Sequence, residues 1–269
     1  MNQKSEVISM KVKQIRNATI IVTYAGKKFL IDPMLAEKGA YPPFPFTHNQ
    51  HLNNPIVGLP VSIEEILDVD AVIVTHIHLD HFDPVAMEVI PKDMKIFAQN
   101  EDEANQMKEV GFNNVEVLKE EGTLFGDIKL IKTPAKHYSD DSIVDICREL
   151  GLTHKASGVI FNHTKEKSLY IMGDTVWYDE IKIVLDKYNP EIIAVNAGNA
   201  QFVDGRYLIM SKDDFFEATK EAPNAHFVAT HMEGVNHLMV SRKDLREYSE
   251  EKGFSNRLSI PADGETIEF

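Results

Sequence analysis

Residues 71–74 form a wholly apolar run, Ala71-Val72-Ile73-Val74, which passes through Thr75 straight into His76, His78, Asp80 and His81. A short β-branched run with no polar alternation predicts a strand covered on both faces. Asp83 and Pro84 follow at once, the residue types that cap and open a helix, here expected over Pro84–Ile90. A buried strand that releases three imidazoles and a carboxylate before a helix begins makes an open cup of nitrogen and oxygen donors. Zn, Fe and Mn suit such donors: imidazole is a neutral ligand near pH 7, and aspartate offsets the charge of the ion.

The remaining pattern places this segment inside an α/β chain. Strands are predicted at Met10–Ile15, Ala18–Tyr24 and Lys28–Ile31, and then at Lys95–Ala98, Val115–Leu118, Ile128–Lys132, Gly158–Asn162, Ser168–Met172, Ile192–Val195 and His226–Thr230. Helices are predicted at Ser62–Leu67, Glu101–Val110, Asp179–Lys187, Lys212–Glu221 and Arg242–Lys252. Strands alternating with helices, plus consecutive strands at both ends, indicate layered α/β structure with mixed sheets. No linker or repeat divides the 269 residues, so a single domain over 1–269 is expected. Between Met34 and Pro60 lie five prolines and no periodicity, which reads as a pocket wall or lid.

Composition narrows the function. The 42 acidic against 28 basic residues leave a net charge of −14, which argues against a nucleic-acid partner. One cysteine, Cys147, allows no internal disulfide and is expected to be buried and inert. No stretch approaches the roughly 18 apolar residues of a membrane span, and no leader pattern is seen at the start. A cytoplasmic enzyme acting on a small molecule is the expectation, with no membrane partner and with a homo-oligomer left open. A chain of this length needs no metal merely to hold its core, so a metal would serve chemistry.

His76-x-His78-x-Asp80-His81 resembles the signature of the metallo-β-lactamase superfamily of metallohydrolases. Further positions match in chain order: His137 after Lys132-Thr133-Pro134-Ala135-Lys136, Asp174 in the Gly173-Asp174-Thr175 turn, and His231 after Phe227-Val228-Ala229-Thr230. Asp32, closing Phe29-Leu30-Ile31, matches a position that supports the site from behind. The resemblance implies a four-layer αβ/βα sandwich with two mixed β-sheets and the site at one sheet edge. It implies two divalent metal ions (Zn or Mn, with Fe fitting the same donors): His76, His78 and His137 on one, Asp80, His81 and His231 on the other, and Asp174 bridging. The chemistry implied is hydrolysis of a small ester, lactone or phosphodiester by a metal-bound hydroxide, with Asp80 as acid/base partner. The alternatives are a non-catalytic metal-binding member of the fold and an iron-dependent oxidative enzyme.

Within that superfamily the short N-terminal strands, Pro134-Ala135-Lys136-His137-Tyr138 and Pro261-Ala262-Asp263-Gly264-Glu265 resemble the UlaG-like branch, which includes ascorbate-6-phosphate lactonase. Arg206, Lys212 and Arg242 are the candidates for contacting a phosphate. His237, polar and close to His231, is a candidate pocket residue donating a hydrogen bond to a developing oxyanion. His48 and His51 read as exposed, His154, His163 and His226 as structural, and Asp140-Asp141 as a solvated acidic turn.

Overall fold

The computed structural model describes residues 9–149 and 151–269. The first half of the chain contributes β1 (Lys11–Arg16), β2 (Thr19–Tyr24), β3 (Lys27–Ile31), β4 (Ala71–Val74), β5 (Ile96–Ala98) and β6 (Val115–Val117), with α1 (Ile63–Ile66), α2 (Pro84–Val89) and α3 (Glu101–Glu109) between them. The second half contributes β7 (Thr123–Phe125), β8 (Ile128–Lys136), β9 (Lys155–Asn162), β10 (Leu169–Ile171), β11 (Ile192–Asn196), β12 (His226–Thr230) and β13 (Leu258–Ser259). Its helices are α4 (Ser142–Glu149), α5 (Asp179–Tyr188), α6 (Lys212–Glu221) and α7 (Arg242–Lys252). The last strand, β14 (Thr266–Glu268), crosses back to pair antiparallel with β1. Two seven-stranded mixed sheets result, ordered β14-β1-β2-β3-β4-β5-β6 and β13-β12-β11-β10-β9-β8-β7.

Three apolar layers explain why the sheets stack. Between them lie Phe29, Ile31, Ile73 and Phe97 from the first sheet and Leu130, Val159, Phe161 and Ile171 from the second. Phe29 meets Phe161 edge-on with ring centroids 5.0 Å apart, a favoured aromatic geometry. On the outer face of the first sheet, Leu30, Val72 and Val74 take Ile66, Ala86, Ala104 and Met107 from its helices. On the outer face of the second, Tyr170, Ile193 and Phe227 take Ile181, Leu185, Phe215 and Leu245. Each strand alternates between an inner and an outer layer, so β4 is buried at all four positions. The expected four-layer αβ/βα sandwich is the observed architecture.

Several elements differ from the sequence reading. β8 continues to Lys136, four residues beyond the expected end, although it contains Pro134. Its neighbour β7 pairs only with residues 128–130, so the missing N–H of Pro134 falls where β8 has no partner on that side. Helix α4 is not among the predicted helices: it starts just past Asp140-Asp141, which form an exposed turn as expected, with Asp140 Oδ1 accepting the Ser142 N–H at 2.9 Å and Ile143 and Cys147 buried one turn apart. Cys147 is buried as expected, and burial raises its thiol pKa. The short strands β7, β13 and β14 carry too few residues to show a period.

The Pro-rich stretch is anchored from below. Arg16, fully buried, donates to the carbonyls of Met34 (2.6 Å), Ala36 (3.0 Å) and Val57 (3.1 Å). Burial lowers its pKa to about 10. Asp83 caps α2 through the Ala86 N–H at 2.8 Å, and its other oxygen takes the Ala36 N–H at 2.7 Å. One carboxylate thus starts the helix and fixes the loop.

A second buried acid makes a testable contribution to stability. Glu103, at the start of α3, is 2 % exposed; Gln99 Nε2 donates to its Oε1 at 2.6 Å, and its Oε2 has no partner among the described residues. Burial raises its pKa to about 7. The folded state therefore binds a proton that the unfolded chain releases near its ordinary value, so this group's contribution falls as pH rises from the ordinary carboxylate range through about 7. Glu103→Gln is expected to raise the thermal midpoint over wild type, with a larger gain at pH 8 than at pH 5; equal gains at both would show that ionisation of Glu103 is not the cause.

Candidate metal centre

The residues singled out in the sequence meet at one edge of the sandwich. β3, β4 and β5 run parallel, as do β10, β11 and β12, so their C-terminal ends open on the same side. Asp32 follows β3, His76 follows β4, His137 follows β8, Asp174 follows β10 and His231 follows β12. Backbone groups are free at strand ends, which is why ligands gather at the carboxyl edge of parallel sheets.

The inward-facing atoms form overlapping groups whose donor atoms lie within 4.8 Å of one another: His76, His78 and His137; His76, His81 and Asp174; and Asp80, His81 and His231. In the first, His76 Nε2 lies 3.0 Å and His137 Nε2 3.2 Å from His78 Nδ1. In the last, His231 Nε2 lies 3.1 Å from His81 Nε2 and 3.3 Å from Asp80 Oδ2. Asp174 sits between them, with Oδ2 3.1 Å from His81 Nε2 and 3.9 Å from His76 Nε2, and Oδ1 3.7 Å from His231 Nε2. Six of these seven residues are buried, and His78 is partly exposed.

Their outer atoms are held by a supporting layer. Asp32 accepts the Thr75 N–H and the Thr75 hydroxyl, each at 2.7 Å, and Oδ2 is 2.9 Å from His81 Nδ1. His78 Nε2 is 2.7 Å from the Thr153 carbonyl, and His137 Nδ1 is 3.0 Å from that of Leu208. Asn196 Nδ2 donates to Asp174 Oδ1 at 2.6 Å, and the Thr230 hydroxyl donates to Asn196 Oδ1 at 2.8 Å. Asn196, Thr153 and Leu208 escaped the sequence reading. Asn196 closes a strand as Asp32 does and could have been found from that; the other two act through backbone carbonyls and leave no residue signal.

The backbone is bent to aim these groups. Asp32 (φ 47°) and His231 (φ 54°) occupy the left-handed region, which non-glycine residues rarely adopt and which concentrates at functional sites. Gly173 (φ 67°) has no room for a side chain: an added Cβ would lie 2.4 Å from the Ser157 carbonyl oxygen. Only glycine can turn the chain there and deliver Asp174.

Charge completes the fit to a cation. Burial holds the His76 and His78 imidazoles neutral and lowers His137 to about 4. Burial opposes charge on Asp80 and Asp174, yet His81 and His231 outweigh it and hold both carboxyls well below the ordinary range. At His81 the balance also runs against burial: Asp174, Asp32 and Asp80 raise its pKa well above normal. The imidazoles of His76, His78 and His137, lowered in pKa and packed nitrogen to nitrogen beside ionised carboxylates, are groups that a divalent metal satisfies, and a metal would take the place of the proton that the three acids favour on His81.

Two other expectations fare differently. Arg242 is not free to meet a phosphate: it pairs with Glu233 at 2.7 Å and Asp263 at 2.5 Å. Arg206 is likewise paired with Asp204 at 2.6 Å. His237 lies beside the centre, 5 % exposed, and is pushed down to about 4 by burial against the pull of Asp80.

Comparison with known proteins decides the family. The pattern of the β-lactamase superfamily domain matches residues 27–232. The chain belongs to the metallo-β-lactamase superfamily. Within it, the chain is similar to the UPF0173 protein YddR of Bacillus subtilis, at 51% identity over 97% of this chain and 100% of that one. A UPF0173 metal-dependent hydrolase of Methanosphaera stadtmanae is 26% identical over 71% of this chain and 73% of its own. The crystal structure of an isothiocyanate hydrolase from Delia radicum gut bacteria is 45% identical, covers 97% of this chain and 99% of its own, and superposes with a TM-score of 0.91. This superfamily member is a metal-dependent hydrolase. No helix among its described residues is long and apolar enough to cross a membrane.

Because the centre packs ionised carboxylates and crowded imidazoles, removal of bound metal by a chelator is expected to lower the thermal midpoint, measured by scanning calorimetry. Asp32→Asn, which weakens the hold on His81, is expected to reduce metal affinity about 10- to 100-fold by titration calorimetry. An unchanged affinity would remove Asp32 from the supporting layer.

Proposed function

We propose that the chain is a binuclear hydrolase of isothiocyanates, with His76, His78 and His137 holding one divalent ion, Asp80, His81 and His231 a second, and Asp174 shared. The observation that carries the binuclear reading is the position of Asp174 between the two groups of donors: its Oδ2 lies 3.9 Å from His76 Nε2 and 3.5 Å from His137 Nδ1 of the first, while Oδ2 lies 3.1 Å from His81 Nε2 and Oδ1 3.7 Å from His231 Nε2 of the second. Zn or Mn suits this donor set, and Fe fits it as well. The substrate reading rests on the 45% identity to the isothiocyanate hydrolase, over 97% of this chain and 99% of that one. The pairing of Arg206 and Arg242 with acids speaks against a phosphate ester or phosphodiester.

The reaction is R–N=C=S + H2O → R–NH2 + COS. Oxygen of water bonds to the central carbon, one proton passes to nitrogen, and the C–N bond then breaks with the second proton following nitrogen. Bound divalent ions would supply Lewis acidity and lower the pKa of water. Everything else falls to the chain. Asp80, ionised and buried, accepts the proton that water loses; its Oδ2 lies in the centre, 3.3 Å from His231 Nε2. Asn196 and Thr230 keep Asp174 turned inward. The 34–60 segment walls the site, bringing Phe44 against His237 with ring centroids 4.7 Å apart. The central carbon of N=C=S needs no covalent enzyme nucleophile, which accords with a centre built of imidazoles and carboxylates.

Protein purified without chelator is expected to carry about two divalent ions per chain by elemental analysis, and to release amine and carbonyl sulfide from phenethyl isothiocyanate. His76→Ala and Asp174→Ala are each expected to lower turnover at least about a thousandfold, the scale on which electrostatic and nucleophile-generating terms act, with far-UV circular dichroism unchanged. Metal-loaded protein that hydrolyses esters or lactones but no isothiocyanate would overturn the substrate reading.

A further inference from the structure

His237 belongs to none of the groups of converging donor atoms, yet it is buried beside them and lies in the field of Asp80, His231 and Asp174. Its Nδ1 has no hydrogen-bond partner among the described residues. A buried polar atom without a partner costs stability, so its retention calls for an explanation. The ring is also held with care. Phe44 packs edge-on against it at an interplanar angle of 77°. Its carbonyl accepts the Gln201 N–H at 3.0 Å. The preceding residue, Asn236, joins the 34–60 segment through Asn54 (2.9 Å), Thr47 Oγ1 (2.9 Å) and the Phe44 N–H (3.0 Å). An imidazole fixed in orientation but left unsatisfied is prepared for a group that arrives later.

We infer that His237 is a substrate-contacting residue: clamped by Phe44 and Asn236, its ring donates an N–H hydrogen bond to the heteroatom that gains negative charge when the central carbon of N=C=S is attacked. This assignment rests on the isothiocyanate reading and deepens it. A neutral imidazole donates one hydrogen bond without giving up its proton, and a donor oriented in advance stabilises the transition state more than the ground state. Phe44 is then a positioning residue, which keeps the ring from turning.

The probe is thiocyanate, an N–C–S anion, titrated into cobalt(II)-loaded protein and followed by visible absorption. His237→Ala is expected to weaken thiocyanate at least about tenfold, the worth of one hydrogen bond to a charged group, with cobalt content unchanged. Of His237→Asn and His237→Gln, whose amides stand near the positions of Nδ1 and Nε2, one is expected to restore part of the affinity. Phe44→Leu should fall between wild type and His237→Ala. With isothiocyanate, His237→Ala is expected to lower kcat about a hundredfold and to change KM much less. Wild-type thiocyanate affinity in His237→Ala, or loss of cobalt from it, would overturn the assignment. Failure of wild type to hydrolyse isothiocyanate would sink the substrate reading instead, and the thiocyanate titration would still judge His237.

Discussion

Asp32 is the carboxylate on which the centre depends. It accepts two hydrogen bonds from Thr75 and lies 2.9 Å from His81 Nδ1, all with about 1 % of its surface exposed. A buried carboxylate left unpaired is strongly destabilising, so these partners are compulsory rather than optional. The bond to the Thr75 N–H registers the end of β3 against the end of β4, and the contact with His81 orients an imidazole at the same stroke. The left-handed backbone at Asp32 is the strain accepted for this arrangement. Sheet register and ligand orientation are consequently one problem with one solution.

The wall of the site follows a similar logic with different residues. A loop as long as 34–60 would ordinarily be mobile. Here buried Arg16 takes its carbonyls from below and Asn236 takes its polar groups from the ligand-bearing loop. Asp83 adds a third tie through the Ala36 N–H. The loop therefore behaves as part of the scaffold, and Phe44 reaches His237 from a fixed base.

Much of this was legible in the sequence because it depends on short-range pattern. The buried run Ala71–Val74, the cap at Asp83-Pro84 and the spacing of His76, His78, Asp80 and His81 carry their own local signals, and the layered fold follows from alternating periods. The structure brings all seven nominated residues together, with Asp32 behind them. What stayed hidden depends on distant partners. The run of β8 past Lys132 and through Pro134 was hidden because nothing local reveals that β7 stops short of that proline. Helix α4 stayed hidden because its sequence between the exposed Asp140-Asp141 turn and Glu149 offered no separate helix-start signal. Thr153 and Leu208 hold histidines through carbonyls that every residue possesses. The freedom of Arg206 and Arg242 to bind an anion depended on acids that only the folded chain brings near.

The two sheets share the centre unequally but both contribute: Asp32, His76, His78, Asp80 and His81 come from the first half of the chain, and His137, Asp174 and His231 from the second. The site is thus a seam. An ion seated in it would add a cross-link between halves that already adhere through an apolar interior, the β14–β1 pairing and the hydrogen bonds of Asn236, and it would do so at the edge where that interior ends. Escape of such an ion is then a mechanical event as much as a chemical one. With donors on both sheets, losing those of one sheet would leave an ion held by the other, so its exchange would follow opening of the sandwich edge.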